Sequence, residues 1–161
     1  MPGWWRRFRP APVLLLLLLA RPAHAADVMV FASLASPSDT WGTGYGAAVT
    51  GTVLKVFMLE GEAFRLPGPT DESNLTSFSG SVFLAIPIKA IHIFAGAGIG
   101  ISRESVASAT DTALFTSWGG GLKLKLGDLV VAKAEYRRFK LDGQPPLPLE
   151  QRFSAGIGVT F

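Results

Sequence analysis

The sequence predicts an all-β protein, an eight-stranded antiparallel up-and-down transmembrane β-barrel after an N-terminal signal peptide. Three observations lead there. The chain opens on an export signal, no later apolar run is long enough for a helix in lipid, and the closing residues Gln151 to Phe161 form one strand with a greasy face. In that segment Phe153, Ile157, Val159 and Phe161 alternate with Ser154, Gly156, Gly158 and Thr160. Alternation of this kind, ending on an aromatic, suits a strand with lipid on one side and a polar lumen on the other.

Residues 1–25 carry a basic start (Arg6, Arg7, Arg9), an apolar run from Val13 to Ala20, and the small-x-small sequence Ala23-His24-Ala25. This is the pattern of a secretory signal peptide cut before Ala26. Its apolar run of eight residues is far short of the ~20 a spanning helix needs. Residues 26–161 are then one domain, the barrel. Four of the 15 Lys and Arg fall in the signal, leaving 11 against 12 Asp and Glu. The basic balance of the whole chain is therefore largely a property of the segment that is removed and points to no nucleic-acid partner. With no cysteine, thiolate metal sites and a cysteine nucleophile are excluded.

Eight period-2 blocks follow, at about 27–35, 41–51, 53–65, 74–86, 90–103, 112–126, 129–141 and 150–161. All seven prolines after residue 25 fall between these blocks, as expected if proline is kept out of central strands. The intervals alternate in length. Those at Ser36–Thr40, Leu66–Ser73, around Ala107 and at Asp142–Leu149 are longer, whereas Gly51-Thr52, Pro87–Lys89 and Gly127-Asp128 are tight. Long loops on one side and short turns on the other match an outer-membrane barrel with both termini in the periplasm.

Strand phase assigns the faces. In the fourth block Phe78, Val82, Leu84 and Ile86 point to lipid against Ser77, Ser79 and Ser81. The fifth sends Ile91, Ile93, Ala95, Ala97, Ile99 and Ile101 outward, with glycines 96, 98 and 100 inward. That Gly-x-Gly-x-Gly spacing is not the dinucleotide fingerprint, and no helix pattern follows it. The sixth turns Leu114, Trp118, Leu122, Leu124 and Leu126 to lipid.

The seventh block is the most telling, because Lys133, Glu135 and Arg137 point opposite to Val130, Ala132, Ala134 and Tyr136. Glu60 and Glu62 occupy the polar phase of the third. Strands three and seven face each other in a closed eight-strand barrel, whose lumen is only wide enough to be filled by side chains. Buried charges survive there only when paired. The expectation is a lumen network of Glu60, Glu62, Lys133, Glu135 and Arg137, with Lys123 and Lys125 nearer the periplasmic mouth.

Tyr45, Phe78, Tyr136 and Phe153 fall on the lipid phase near the loop side as an upper girdle, with Phe161 in a lower one. Just above that ring Arg65, Arg103, Arg138 and Lys140 also point outward. They are placed to meet lipopolysaccharide phosphates through charge-assisted hydrogen bonds; a solvated set of loop-edge charges would give the same list. One histidine, His92, remains after processing, on the lumen phase beside a short turn, with no triad or metal-ligand pattern around it. No cofactor is expected.

The signal peptide, the eight alternating segments, Gly119-Gly120-Gly121 before Leu122-Lys123-Leu124-Lys125-Leu126, and the ending Ser154-Ala155-Gly156 to Phe161 resemble the small outer-membrane β-barrel family, the OmpA/OmpX-like proteins. The resemblance covers the whole mature chain and rests on pattern. It implies a monomeric, non-enzymatic barrel in contact with outer-membrane lipid, serving envelope integrity or surface contact. It also implies insertion by the barrel-assembly machinery, with Phe161 as the end residue that is recognised. Lipid A-modifying barrels place His and Ser at a lipid-facing rim, and His92 has the wrong phase for that. A lipocalin-like soluble barrel is disfavoured by charges in the lumen, and a diffusion pore by the strand number.

Overall fold

The computed structural model describes residues 26–37, 41–68, 73–106, 109–143 and 149–161. The signal peptide and part of each of the four longer predicted loops, with Pro69, Pro145, Pro146 and Pro148, lie outside them. Eight strands form a closed antiparallel barrel in chain order. They are β1 Ala26–Pro37, β2 Gly42–Val53, β3 Phe57–Pro67, β4 Ser73–Ile88, β5 Ile91–Val106, β6 Ala109–Leu126, β7 Val130–Leu141 and β8 Leu149–Thr160. The backbone amides and carbonyls of Ala26 and Phe161 exchange hydrogen bonds, so the start of β1 meets the residue after β8 at the rim that carries the three short turns.

Strand pairing fixes the width of the barrel. From Val53 the register runs through Phe57, Leu84, Ala95, Gly120, Tyr136, Phe153 and Leu34, and returns to β2 at Thr43, ten residues from its start. Eight tilted strands with this stagger enclose a space that side chains can fill. β4, β5 and β6 have 16, 16 and 18 residues, against 11 or 12 in the others. Their loop-side ends therefore extend the sheet beyond the rest of the wall.

The short turns differ in position from the sequence reading. β2 continues through Gly51 and Thr52 to Val53, and the chain turns at Leu54–Val56, where Leu54 and Lys55 have φ of 53° and 64°. A left-handed conformation costs a non-glycine residue roughly 1–2 kcal/mol. Keeping Val53 opposite Phe57 on the lipid face extends the ladder and offsets part of it. The other turns centre on Lys89-Ala90 and on Gly127–Leu129, with φ of 56° at Lys89 and 75° at Gly127.

The proline rule also holds in a narrower form than expected. Pro37 and Pro67 end their strands, and Pro87 lies inside β4 opposite His92. The β3–β4 ladder has already stopped at Phe57 and Leu84, so on that side the amide missing from Pro87 has no partner to lose.

Phase divides the wall as expected. Ile91, Ile93, Ile99 and Ile101 of β5, and Leu114, Trp118, Leu122, Leu124 and Leu126 of β6, are all exposed on the outside. The inside holds two apolar clusters. Met58, Phe83, Ala85 and Phe94 pack near the short turns, while Phe64, Leu66, Leu75, Phe115, Phe139 and Leu149 belong to a larger cluster reaching the loop side.

Candidate functional site

Between the two apolar clusters lies a layer of charge. β3 orders it, since Met58, Glu60, Glu62 and Phe64 succeed one another on its inner face, and β7 answers from across the lumen with Lys133, Glu135 and Arg137. Lys133 Nζ donates to Glu60 at 2.6 Å and lies 2.9 Å from Glu135. Arg137 donates through Nε to Glu135 at 2.5 Å, through Nη2 to Glu60, and through Nη1 to Ser81 at 3.2 Å. The Thr50 hydroxyl donates to Glu60 at 3.0 Å. Arg152 of β8 completes the layer, with Nη1 and Nη2 each 2.7 Å from one oxygen of Glu62.

Three carboxylates therefore meet three cations, and the formal charges of the layer cancel. Aromatic rings seat the cations from both sides. Lys133 Nζ lies 5.0 Å from the Phe94 centroid, Arg137 Cζ 5.1 Å from Phe83, and Arg152 Cζ 4.7 Å from Phe64 and 5.2 Å from Phe31. At these distances the ring faces stabilise a cation with little water around it.

The wall beside these long side chains is made of glycine, which lets β6 approach β7 closely. Gly119 and Gly121 stand opposite Arg137 and Glu135 in the β6–β7 register. A Cβ on either would come within 2.1 Å of a β7 carbonyl oxygen. A void of about 10 Å³ remains beside Met29, Glu62, Lys133 and Glu135, at the lower limit for one water.

The arrangement can hold the barrel shut, and it has little capacity for other chemistry. Glu60, Glu62 and Glu135 place one oxygen each within 4.8 Å of the others, which is a metal-like donor set. Lys133, Arg137 and Arg152 already supply the compensating charge, so a divalent ion would have to displace them.

A second ion pair, Lys123 with Asp27, ties β6 to the start of β1 near the short-turn rim and is buried. His92, half-buried on the inner face, is the register partner of Lys123.

The outer wall is the other chemical surface. Val30, Val49, Leu59, Phe78, Val82, Leu84, Ile99, Leu114 and Ile157 are each about half exposed or more. A soluble barrel does not present a continuous apolar band of this extent. The rings of Tyr136 and Phe153 lie 4.6 Å apart, tilted by 39°, and Trp41 lies 6.1 Å from Phe153.

No protein-family model matches the chain, and no curated protein matches it in sequence. Solved structures do. The N-terminal β-barrel domain of Pseudomonas aeruginosa OprF superposes with a TM-score of 0.66 at 16% identity, over 88% of this chain and 100% of that one. Neisserial surface protein A gives 0.63 at 17%, over 86% and 97%. The chain has the fold of the small outer-membrane β-barrels. The outer membrane enzyme PagL shares it too, with a TM-score of 0.52 at 16% identity over 83% of this chain and 98% of that one.

In this small-barrel fold the residues singled out from the sequence separate into groups. Glu60, Glu62, Lys133, Glu135 and Arg137 come together as one network, as the phase of β3 and β7 implied. Lys123 is buried but belongs to the separate pair with Asp27. Lys125 does not join the lumen: it is exposed, one residue past the last β5–β6 pair and beside the Lys89-Ala90 turn. Arg152 and Asp27 were missed. Their signal was present, because each lies on the inner phase of its strand, opposite Phe153 and Val28 respectively.

The small barrel also resolves the outward cations into two places. Arg65 and Arg103 are both register partners of Thr76, so they flank β4 about 10 Å apart at ordinary strand spacing. Arg138 and Lys140 stand together on β7, opposite Trp118 and Thr116 of β6. All four are exposed. Phe161 is exposed at the short-turn rim.

Proposed function

We propose that the protein is a non-enzymatic outer-membrane barrel that contributes to envelope integrity or surface contact, with both termini and the short turns in the periplasm. The observation that carries this reading is the neutral charge layer filling the lumen inside a wall whose exterior is apolar. A barrel packed in this way is neither a diffusion pore nor a carrier with an internal cavity. What remains for function is the exterior: lipid contact along the wall, and recognition where β4, β5 and β6 rise above it.

Arg65, Arg103, Arg138 and Lys140 act on this reading as outer-leaflet contacts to lipopolysaccharide phosphates, where charge-assisted bonds are strongest. The protein works as a monomer, and Phe161, just past β8, serves the barrel-assembly machinery as a recognition residue. The fold shared with PagL raises an enzymatic alternative. Against it, His92 faces the lumen near the short-turn end, away from the loop-side rim where outer-leaflet substrate would sit.

The test is a gel of the outer-membrane fraction in cold SDS, loaded boiled and unboiled. A faster band in the unboiled lane is expected for a closed barrel that resists SDS. Recovery in the soluble periplasm without a mobility shift would overturn the reading.

A further inference from the structure

The outward cations differ in their surroundings. Along the outer face of β7, from the short-turn rim towards the loop side, Ala132 and Ala134 are followed by Tyr136, Arg138 and Lys140. The neighbouring strands change character at the same rows. Phe153 of β8 pairs with Tyr136, Trp118 of β6 and Gln151 of β8 stand on either side of Arg138, and Thr116 of β6 pairs with Lys140. Three adjacent strands thus pass together from apolar to aromatic to cationic and polar, the order of a wall that leaves hydrocarbon for the headgroup layer.

The last of these side chains converge on one spot. Arg138 and Lys140 are alternate residues of one strand, about 7 Å apart, and Gln151 faces Arg138 at about 5 Å between Cβ atoms. The Tyr136 hydroxyl donates to Gln151 Oε1 at 3.1 Å. That bond fixes the amide and leaves its nitrogen as a donor beside Arg138. Arg138 and Lys140 are exposed, and so is Glu150 beyond Gln151. Among the described residues neither cation is ion-paired, with Glu150 or with any other carboxylate. Arg65 and Arg103 are placed differently, two strands apart with Thr76 between them and no amide in their row.

From these features we infer that Arg138, Lys140 and the Gln151 amide form a seat for one phosphomonoester of lipid A, on the outer face of β7 and β8. A phosphomonoester carries a charge of about −1.5 to −2 at neutral pH and has three acceptor oxygens. Two cations and one amide supply a donor for each oxygen, with the charge-assisted bonds contributing most. A phosphodiester headgroup, with less charge and fewer free oxygens, leaves one donor of the seat unmatched. Tyr136 and Phe153, directly below, mark where the headgroup ends and the acyl chains begin.

The inference rests on the lipopolysaccharide-contact reading above, and three variants separate the two. Arg138→Ala with Lys140→Ala removes the cations of the seat. Arg65→Ala with Arg103→Ala removes as much charge from β3 and β5, away from it. Gln151→Leu removes the amide and leaves every charge. All change outward positions, and retention of the unboiled gel shift certifies that each barrel is closed. Native mass spectrometry of detergent-purified barrel incubated with hexa-acylated lipid A, or with phosphatidylglycerol, then reads bound lipid.

The expected result is lipid A retention lowered about tenfold by loss of Arg138 and Lys140, about threefold by Gln151→Leu, and by less than about twofold by loss of Arg65 and Arg103. Equal losses in the two double variants, or a loss confined to the Arg65 and Arg103 variant, overturn the seat and leave the lipopolysaccharide contact standing. Wild-type retention by both double variants overturns both. Wild-type retention by Gln151→Leu overturns the three-donor seat. Equal binding of phosphatidylglycerol and lipid A by the wild type overturns the assignment of the occupant.

Discussion

Arg152 and Glu62 form a two-pronged pair across the lumen, with both guanidinium nitrogens 2.7 Å from the two carboxylate oxygens. Both side chains are buried, and three phenylalanine rings surround the guanidinium at 4.7 to 5.5 Å. The pair joins β8 to β3, which are not neighbours in the sheet. It therefore braces the barrel across its width as well as neutralising the layer.

Breaking that pair from one side strands a charge. Arg152→Leu leaves Glu62 to share Arg137, whose Nη2 is 3.7 Å away and already engaged by Glu60. The expected loss is about 3–5 kcal/mol in reversible urea unfolding from lipid vesicles. The double variant Arg152→Leu with Glu62→Leu should recover most of it, because no unpaired ion remains. Equal losses in single and double variants would show that the pair itself, and not the stranded charge, sets the stability.

Glu135 bridges Lys133 and Arg137, so Glu135→Leu should leave the layer with surplus positive charge. A fall of roughly 2–4 kcal/mol is expected, read as a lower midpoint of the heat-induced gel shift. An unchanged midpoint would count against the network. Because all members are buried, the loss should vary little between low and high salt.

Two lysines of equal phase on β6 should behave differently. Lys123→Ala removes the partner of buried Asp27 and should cost about 2 kcal/mol or more. Lys125→Ala alters an exposed side chain and should stay within about 0.5 kcal/mol of the wild type. Parallel urea titrations of the two variants distinguish them, and equal effects would contradict the placement of Lys125.

The filled lumen also has an electrical consequence. Purified barrel reconstituted into planar bilayers should show no steady porin-like conductance, since buried ion pairs from β3 to β7 and β8 span the lumen. Persistent large openings of the wild type would mean that the layer does not seal the barrel.

Much of this protein was determined by the sequence alone. A side-chain period of two tells which face each residue takes, so the lipid wall and the inward charges of β3 and β7 were readable from Ile91 to Ile101 and from Lys133 to Arg137. The opposition of Glu60 to Lys133 followed from counting strands in a closed ring. Height along the barrel axis followed only coarsely, from distance to the nearest turn, because phase carries no information about it. Only the ten-residue stagger of the closed sheet decides that Arg152 stands level with Glu62, that Lys123 meets Asp27, and that Lys125, of the same phase, falls outside the lumen. The turns were misplaced for a related reason. Gly51 and Pro87 were read as local breaks, but neighbouring strands set how far each ladder runs, and closure of the barrel outweighed those local preferences.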